Sequence, residues 1–583
     1  MISLHELNSL PVAQFVAVLS GIFERSPWVP ERVAALRPFG SRLQLHSAMC
    51  QTLAAASTQE QLALIRAHPE LAGGAAVRAQ LTPESTREQK GAGLSACTQE
   101  ELSTLQALNA AYGAKFGFPF VLAVRGHNPG SVIEDLRRRV NNTIDEERAA
   151  ALKEIGRIAG IRLVEWVSAP CGAEILAMAD ELAQFSEQED ALTCSYLTTA
   201  HRATAEKIRD WMLCSGLQVS IDAVGNVVGR WPAASADARS LLTGSHYDTV
   251  INGGKYDGRL GVLLPIAVVA ELRRDGVQLP YTLEIIAFAE EEGVRFKSTF
   301  LGSRAVAGKF DFTALDSVDA AGISMRDAMR DAGFDLQSIA AVARNPAQLL
   351  GFVEVHIEQG PVLLSEDRPV GVVTSIAGSV RALVTVVGLA GHAGTVPMNL
   401  RRDAAAAAAE IVLAVERRCK ATPGLVGTVG QLQVPQGAVN VIAGRCELSI
   451  DIRSDDDGVR DAAYADLAAA IEAIAQRREV TVQVRKVLEI ERAPCALGMQ
   501  QQWVESVRRV TGTSDVRRLP SGAGHDAMVM QQITDIGMLF ARCGNGGISH
   551  HPDETLSAAD ADVAARVFQD FLLHFPIADH DHD

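Results

Sequence analysis

At 583 residues the chain is too long for one hydrophobic core and divides into two or more domains. Hydrophobic residues at 48% and charged residues at 21% are the balance of a globular protein in water. A net charge of -16 argues against a nucleic-acid partner, whose phosphates need a basic face, and leaves small molecules as the expected partners.

Nine cysteines are scattered from Cys50 to Cys543 without a C-x-x-C, which reads as free thiols in a reducing compartment. The opening MISLHELNSLPVAQF is polar where a secretory leader needs an apolar run. The most apolar stretch, 261–270, falls well short of the roughly 20 residues that span a bilayer. The expectation is a cytoplasmic protein without membrane contact.

Up to about Val167, segments such as QEQLALIRAH, EELSTLQALNAAYGAKFG and EERAAALKEIGRIAGIRLVEWV repeat apolar residues at helical spacing, and no alternating strand pattern stands out. This predicts an all-α domain over 1–168. SAPCGAE then supplies Pro and Gly for a boundary. Beyond it SLLTGSHYDTV, GVLLPIAVVAELRRDG and YTLEIIAFAEEEG alternate buried-strand and helix patterns, the texture of an α/β layer. From 381 to 493, ALVTVVGLAGHAG, LVGTVGQLQV, RCELSIDIRS and VTVQVRKV predict a smaller sheet with helices at 399–419 and 457–477. α/β texture resumes at QQWVESVRRV, so this α+β part is read as an insertion between 172–380 and 494–577.

In the helical part, polar residues keep unusual company: His68 in IRAHPEL, then Ser85, Glu88 and Gln89 in PESTREQKGAGL, then KFGFPF. Ser85-x-x-Glu88 also reads as a capping box, and His68 before Pro69 as a helix end. The strings IFERSPWV, AHPELA, SxxEQxxAGL, LNxAYxxKFGFPF and IAGIRL resemble the 2-oxo-4-hydroxy-4-carboxy-5-ureidoimidazoline (OHCU) decarboxylases over nearly all of 1–167. These are cofactor-free helical proteins that form (S)-allantoin. The resemblance implies His68 as the main acid/base residue, Glu88 as its partner and Arg162 as a cationic contact, with Ser85, Gln89 and the GFPF backbone completing the pocket. Loss of CO2 beside an imine-like carbon needs no metal when the ring delocalises the charge, and a histidine suits the proton delivery.

In the α/β part, His and carboxylate residues gather where strands should end. His246 is followed by Asp248, Asp257 lies in the glycine-rich GGKYDGRLG, and Glu290, Glu291 and Glu292 close TLEIIAFAEEEG. His356 sits in EVHIEQG and His550 in GISHHPDE. Three adjacent carboxylates after an apolar strand need a positive partner; Arg295 is the plain one, and a pair of divalent cations the other. SHYDTV, GGKYDGRLG, EEEGVRF, EVHIEQGP, GHAGTVPM, SGAGHDA and GISHHPDE resemble, in order, the dinuclear metallopeptidase-related carbamoylases, a family that includes allantoate amidohydrolases, N-carbamoyl-L-amino-acid hydrolases and β-ureidopropionases.

That resemblance implies His246 and His356 on one metal, Glu292 and His550 on the other, Asp257 bridging, Glu291 as general base and Asp248 orienting His246; Glu290 receives no role. It implies Gln359 on the ureido group, Asn440 and Arg453 on the substrate carboxylate, His392 on the oxyanion across a homodimer interface, and His525 on the substrate. Manganese is the expected metal, with Zn, Co or Ni accepted by the same donors. A decarboxylase that makes allantoin favours allantoate for the hydrolase, so the expectation is a bifunctional enzyme of ureide breakdown. The alternative pairs a hydrolase of N-carbamoyl amino acids or β-ureidopropionate with a non-catalytic helical module.

Overall fold

The computed structural model describes residues 1–71, 82, 85, 86, 88, 90, 94, 97–125 and 127–576. Two compact units emerge, one of Met1–Val370, Gln502–Asp515 and Leu539–Asp583, the other of Gly371–Gln501 and Val516–Met538.

The first unit begins with the helical segment. Its helices Thr58–Ala67, Gln99–Phe116 and Ile144–Trp166 each start at a capping box, where Ser57, Thr98 or Thr143 exchanges hydrogen bonds with a glutamate three residues on. Gly117, at φ +72, ends Gln99–Phe116 in the left-handed turn that glycine adopts without strain. The inward faces, among them Leu45, Met49, Leu105, Tyr112, Ile155 and Ala159, make a core of their own. One feature escaped the periodicity: Ile2–Ser3 pairs in parallel with Val167–Ser168, a ribbon too short to show alternation. Glu174, just past that ribbon, accepts the Arg42 and Leu43 N–H groups and so satisfies the start of helix Arg42–Ala54.

The α/β part of this unit holds strands in the order Leu349–Ile357, Ser240–His246, Thr282–Phe288, Val227–Trp231, Gln218–Ile221. The first three run parallel and the last two pair antiparallel. The parallel strands are buried along almost their whole length, as strands covered on both faces are. His246 ends one of them, Glu290 to Glu292 follow the second, and His356 is the penultimate residue of the third. Parallel strands thereby bring these side chains to one carboxyl edge, where open α/β sheets bind ligands.

In the second unit, strands Leu425–Thr428, Arg445–Ser454, Gly378–Val387 and Thr481–Ile490 form an antiparallel sheet in that order. Alternate residues Cys446, Leu448, Ile450 and Ile452 face a core shared with helices Ala404–Lys420 and Asp457–Arg477. The other face, carrying Glu447, Ser449, Asp451 and Arg453, is half-buried. The helix expected from 399 begins at Ala404, because Asp403 caps it by accepting the Ala405 and Ala406 N–H groups. No described helix is long and apolar enough to cross a membrane.

Candidate active sites

Asp257 is the centre of the α/β cluster. Oδ1 lies 3.3 Å from His356 Nε2 and 3.9 Å from His246 Nε2, and Oδ2 lies 3.0 Å from His550 Nε2. His550 Nε2 is also 3.5 Å from Glu292. Donor atoms of His246, Asp257 and His356 lie within 4.8 Å of one another, as do those of Asp257, Glu292 and His550, and those of His246, Glu291 and Glu292.

The tautomers are set by the neighbours. His356 Nδ1 is 2.8 Å from the Ile357 carbonyl, and His246 Nδ1 is 3.2 Å from the Asp248 carbonyl and 3.4 Å from its carboxylate. Each Nδ1 therefore donates to its oxygen neighbour, which aims each Nε2 toward Asp257, and the Asp248 carboxylate raises the His246 imidazole well above its ordinary range against the effect of burial. Asp248 also accepts the Glu291 and Glu292 N–H groups at 3.1 and 3.2 Å, fixing the acidic turn. Gln359 Nε2 donates to both Asp257 oxygens at 3.1 Å. Gln359 and His550 both adopt left-handed backbone, an uncommon conformation for either residue type that recurs at functional sites.

The electrostatics are those of buried carboxylates and imidazoles packed together. Burial pushes Glu292 up to about 7 and Glu290 well above the carboxylate range. Burial opposes ionisation of Asp257 too, but His550, His356 and His246 outweigh it and hold that carboxyl low. A hydrogen bond to Asp257 lifts His550 to about 9, whereas burial drops His356 to about 4. Two imidazole nitrogens on one side of Asp257, and an imidazole nitrogen with a carboxylate on the other, fit two divalent cations of the first transition row.

The helical segment holds a second polar cluster. Arg162, 2% exposed, donates Nε and Nη2 to the two Glu88 oxygens at 2.9 and 3.1 Å, and Nη1 to Glu24 at 3.3 Å and the Gly21 carbonyl at 2.9 Å. Ser85 Oγ lies 3.4 Å from both Glu24 and Arg162 Nη2, and the Ser85 N–H donates to Thr82 Oγ1 at 3.3 Å. Among the described residues these side chains serve Arg162 rather than a capping box. His68 ends its helix with extended backbone before Pro69 and donates Nδ1–H to the Leu64 carbonyl at 2.9 Å. His68, Ser85, Glu88 and Arg162 line one cavity with Phe120, Val121 and Leu122. Burial lowers His68 to about 4, so the imidazole is neutral at pH 7 with its Nε2 lone pair available. Gln89 lies outside the described residues.

Four expected substrate contacts fall in the second unit. His392 lies within a two-residue ribbon, opposite Val441, and Asn440 immediately precedes the partner strand; both side chains are exposed. Arg453 lies on the half-buried sheet face, and buried His525 hydrogen-bonds Ser521 at 2.8 Å.

Comparison with known proteins decides the family. Residues 242–574 match the model of peptidase family M20/M25/M40. The chain belongs to that family. Residues 8–164 match the OHCU decarboxylase model, so an OHCU decarboxylase domain precedes the M20-type part. An allantoate deiminase of Arabidopsis thaliana is 38% identical over 428 residues, 68% of this chain and 81% of that protein. An N-carbamoyl-L-amino acid amidohydrolase of Geobacillus stearothermophilus is 40% identical over 388 residues, 66% and 94% of the two chains. The crystal structure of a hydantoinase/carbamoylase-family amidase from Burkholderia multivorans superposes with a TM-score of 0.65 at 30% identity, covering 69% of this chain and 97% of that one. The chain is thus a decarboxylase domain joined to an M20-family amidohydrolase.

Two residues of these clusters went unread in the sequence. Glu554 accepts the Tyr256 and Asp257 N–H groups at 2.8 and 3.1 Å and a Ser549 hydroxyl at 2.8 Å, holding the Asp257 loop. Its position in HHPDE was the available signal. Glu24, buried in IFERSP, pairs with Arg162, and nothing in its spacing marks it.

Proposed function

We propose that the protein is a bifunctional enzyme of ureide breakdown, decarboxylating OHCU to (S)-allantoin in 1–168 and hydrolysing a ureido group of allantoate in the remainder. The hydrolase comprises 172–380 with 494–577, and 381–493 is an inserted dimerisation and lid domain. This reading rests on one observation above all: both clusters are intact in one chain, each with its own buried acid/base groups.

In the hydrolase, His246 and His356 would hold one metal ion, Glu292 and His550 the other, and Asp257 both; manganese is the proposed metal. The bound pair supplies positive charge that polarises the ureido carbonyl and acidifies a water. Glu291 takes the proton of the attacking water and returns it to the leaving nitrogen, giving ammonia and, from the carbamate left, CO2. Asp248 keeps His246 in its Nδ1–H form. Gln359 orients the ureido group, Asn440 and Arg453 hold the carboxylate, His525 lines the substrate, and His392 reaches the oxyanion of the second subunit in a homodimer. In the decarboxylase, Arg162 holds the anion with Ser85 and Gln89, while His68 Nε2 and Glu88 carry the proton that replaces CO2. The compartment is the cytoplasm.

The relatives include an allantoate deiminase and an N-carbamoyl-L-amino acid amidohydrolase, and the attached decarboxylase domain favours allantoate. Ammonia release from Mn(II)-loaded enzyme is therefore measured with allantoate, an N-carbamoyl-L-amino acid and β-ureidopropionate in parallel. Turnover of allantoate alone is expected. Turnover of the other two with allantoate untouched would keep the chemistry and overturn the substrate.

A further inference from the structure

The half-buried face of the second unit's sheet carries a three-residue ionic cluster. Side-chain alternation places Asp451 and Arg453 on the same face of strand Arg445–Ser454, and the antiparallel register sets Arg381 directly opposite Asp451. Arg453 donates Nε to Asp451 Oδ1 at 3.0 Å and Nη2 to Oδ2 at 2.9 Å, while Nη1 donates to the Gly522 carbonyl at 2.7 Å. Arg381 Nε donates to the same Oδ2 at 2.9 Å. The three side chains also line one cavity with Gly522.

A guanidinium has five N–H donors. Among the described residues three of Arg453's are taken, which leaves two, one on each terminal nitrogen. Two donors of that kind are what one carboxylate accepts in a bidentate pair. Charge points the same way. Arg453 and Asp451 alone would be neutral, and Arg381 on the shared carboxylate returns the cluster to a net charge of about +1.

We propose that Asp451 and Arg381 are positioning residues of the substrate-carboxylate anchor: Asp451 locks the Arg453 guanidinium with one N–H of each terminal nitrogen presented, and Arg381 keeps the cluster cationic. The proposal deepens the assignment of Arg453 given above and rests on it. Selectivity for anionic ureides then depends on residues that never touch the ligand, and Asp451 acts against the sign of its own charge, because orientation outweighs an added positive charge.

Steady-state kinetics of the full-length, metal-loaded enzyme test this with allantoate and with its carboxamide, which lacks the negative charge. Asp451→Asn makes the cluster more positive yet should raise KM for allantoate about tenfold with kcat within about twofold, while leaving KM for the carboxamide unchanged. Arg381→Met should raise KM for allantoate and flatten its salt dependence, and Arg381→Lys should restore both, since that role needs charge rather than a fork. A KM for allantoate that is unchanged or lower in Asp451→Asn, with Arg453→Met still raising it, overturns the positioning role. An Arg453→Met enzyme with unchanged KM overturns the anchor itself. Equal losses on allantoate and carboxamide, in any of these variants, would mark a merely structural cluster.

Discussion

Gly258 shows how closely the α/β site is drawn. It sits at φ +65, and a methyl group added there would lie 2.4 Å from the His246 ring. Gly258→Ala is therefore both strained and in collision with that imidazole. Manganese affinity, followed by calorimetric titration, should fall by at least about tenfold, with the His68 reaction unaffected. Undiminished affinity would mean that His246 is not held where the site needs it. At this scale the sequence was most legible where chemistry is written in residue type: His246, Asp257, Glu292, His356 and His550 stand out as donors, and the fold brings their atoms together. Glu24 was illegible because burial and a partner distant in sequence create its role, whereas Glu554 was signalled only by its place in HHPDE.

Helix Thr199–Cys214 reaches the acidic turn through one buried side chain. His201 Nε2 contacts the Ala289 carbonyl at 2.6 Å, and its ring lies 4.5 Å from that of Tyr247. Burial lowers its pKa from 6.5 to about 4. The unfolded chain then binds the extra proton between those values, so the contribution to stability is complete above pH 6.5 and is lost as pH falls toward 4. The slope corresponds to about 1.4 kcal/mol per unit, on the order of 3 kcal/mol over the window. His201→Gln, which keeps a donor for Ala289, should flatten acid destabilisation there in denaturant melts; an unchanged pH slope would contradict a buried, neutral His201. Elements were legible where a period runs long enough to count, as in Ile144–Trp166 or the alternation of Arg445–Ser454. The two-residue ribbon at Ile2–Ser3 and the start of helix Ala404–Lys420 at Asp403 depend on pairing and capping, which periodicity does not carry.

The whole molecule joins two chemistries that share no group. The helical cluster is built from His68, Glu88, Arg162, Ser85 and Glu24, and the α/β cluster from imidazoles and carboxylates converging on Asp257. Among the described residues only the latter gathers metal-ligating donors, so chelation should abolish ammonia release and leave CO2 release from OHCU intact. It should also lower the melting temperature of the unit holding the site, since metal bound only to folded protein stabilises it by mass action. A chelator that stopped both reactions would contradict the division. The architecture read from the sequence, a helical segment ahead of α/β texture, was legible because the change in pattern is abrupt at SAPCGAE. The tie between the helical segment and helix Cys171–Leu182, made by Glu174 on the start of helix Arg42–Ala54, was not legible, because that bond spans more than a hundred residues.

The most direct test measures both reactions in three proteins: the unaltered chain, Glu291→Gln and His68→Asn. Glu291→Gln should lower ammonia release from allantoate by roughly 10²–10⁴-fold, the usual worth of a general base, and leave decarboxylation of OHCU within about twofold. His68→Asn should do the reverse. Loss of both activities in either variant, or decarboxylation that survives His68→Asn, would contradict two independent catalysts in one chain.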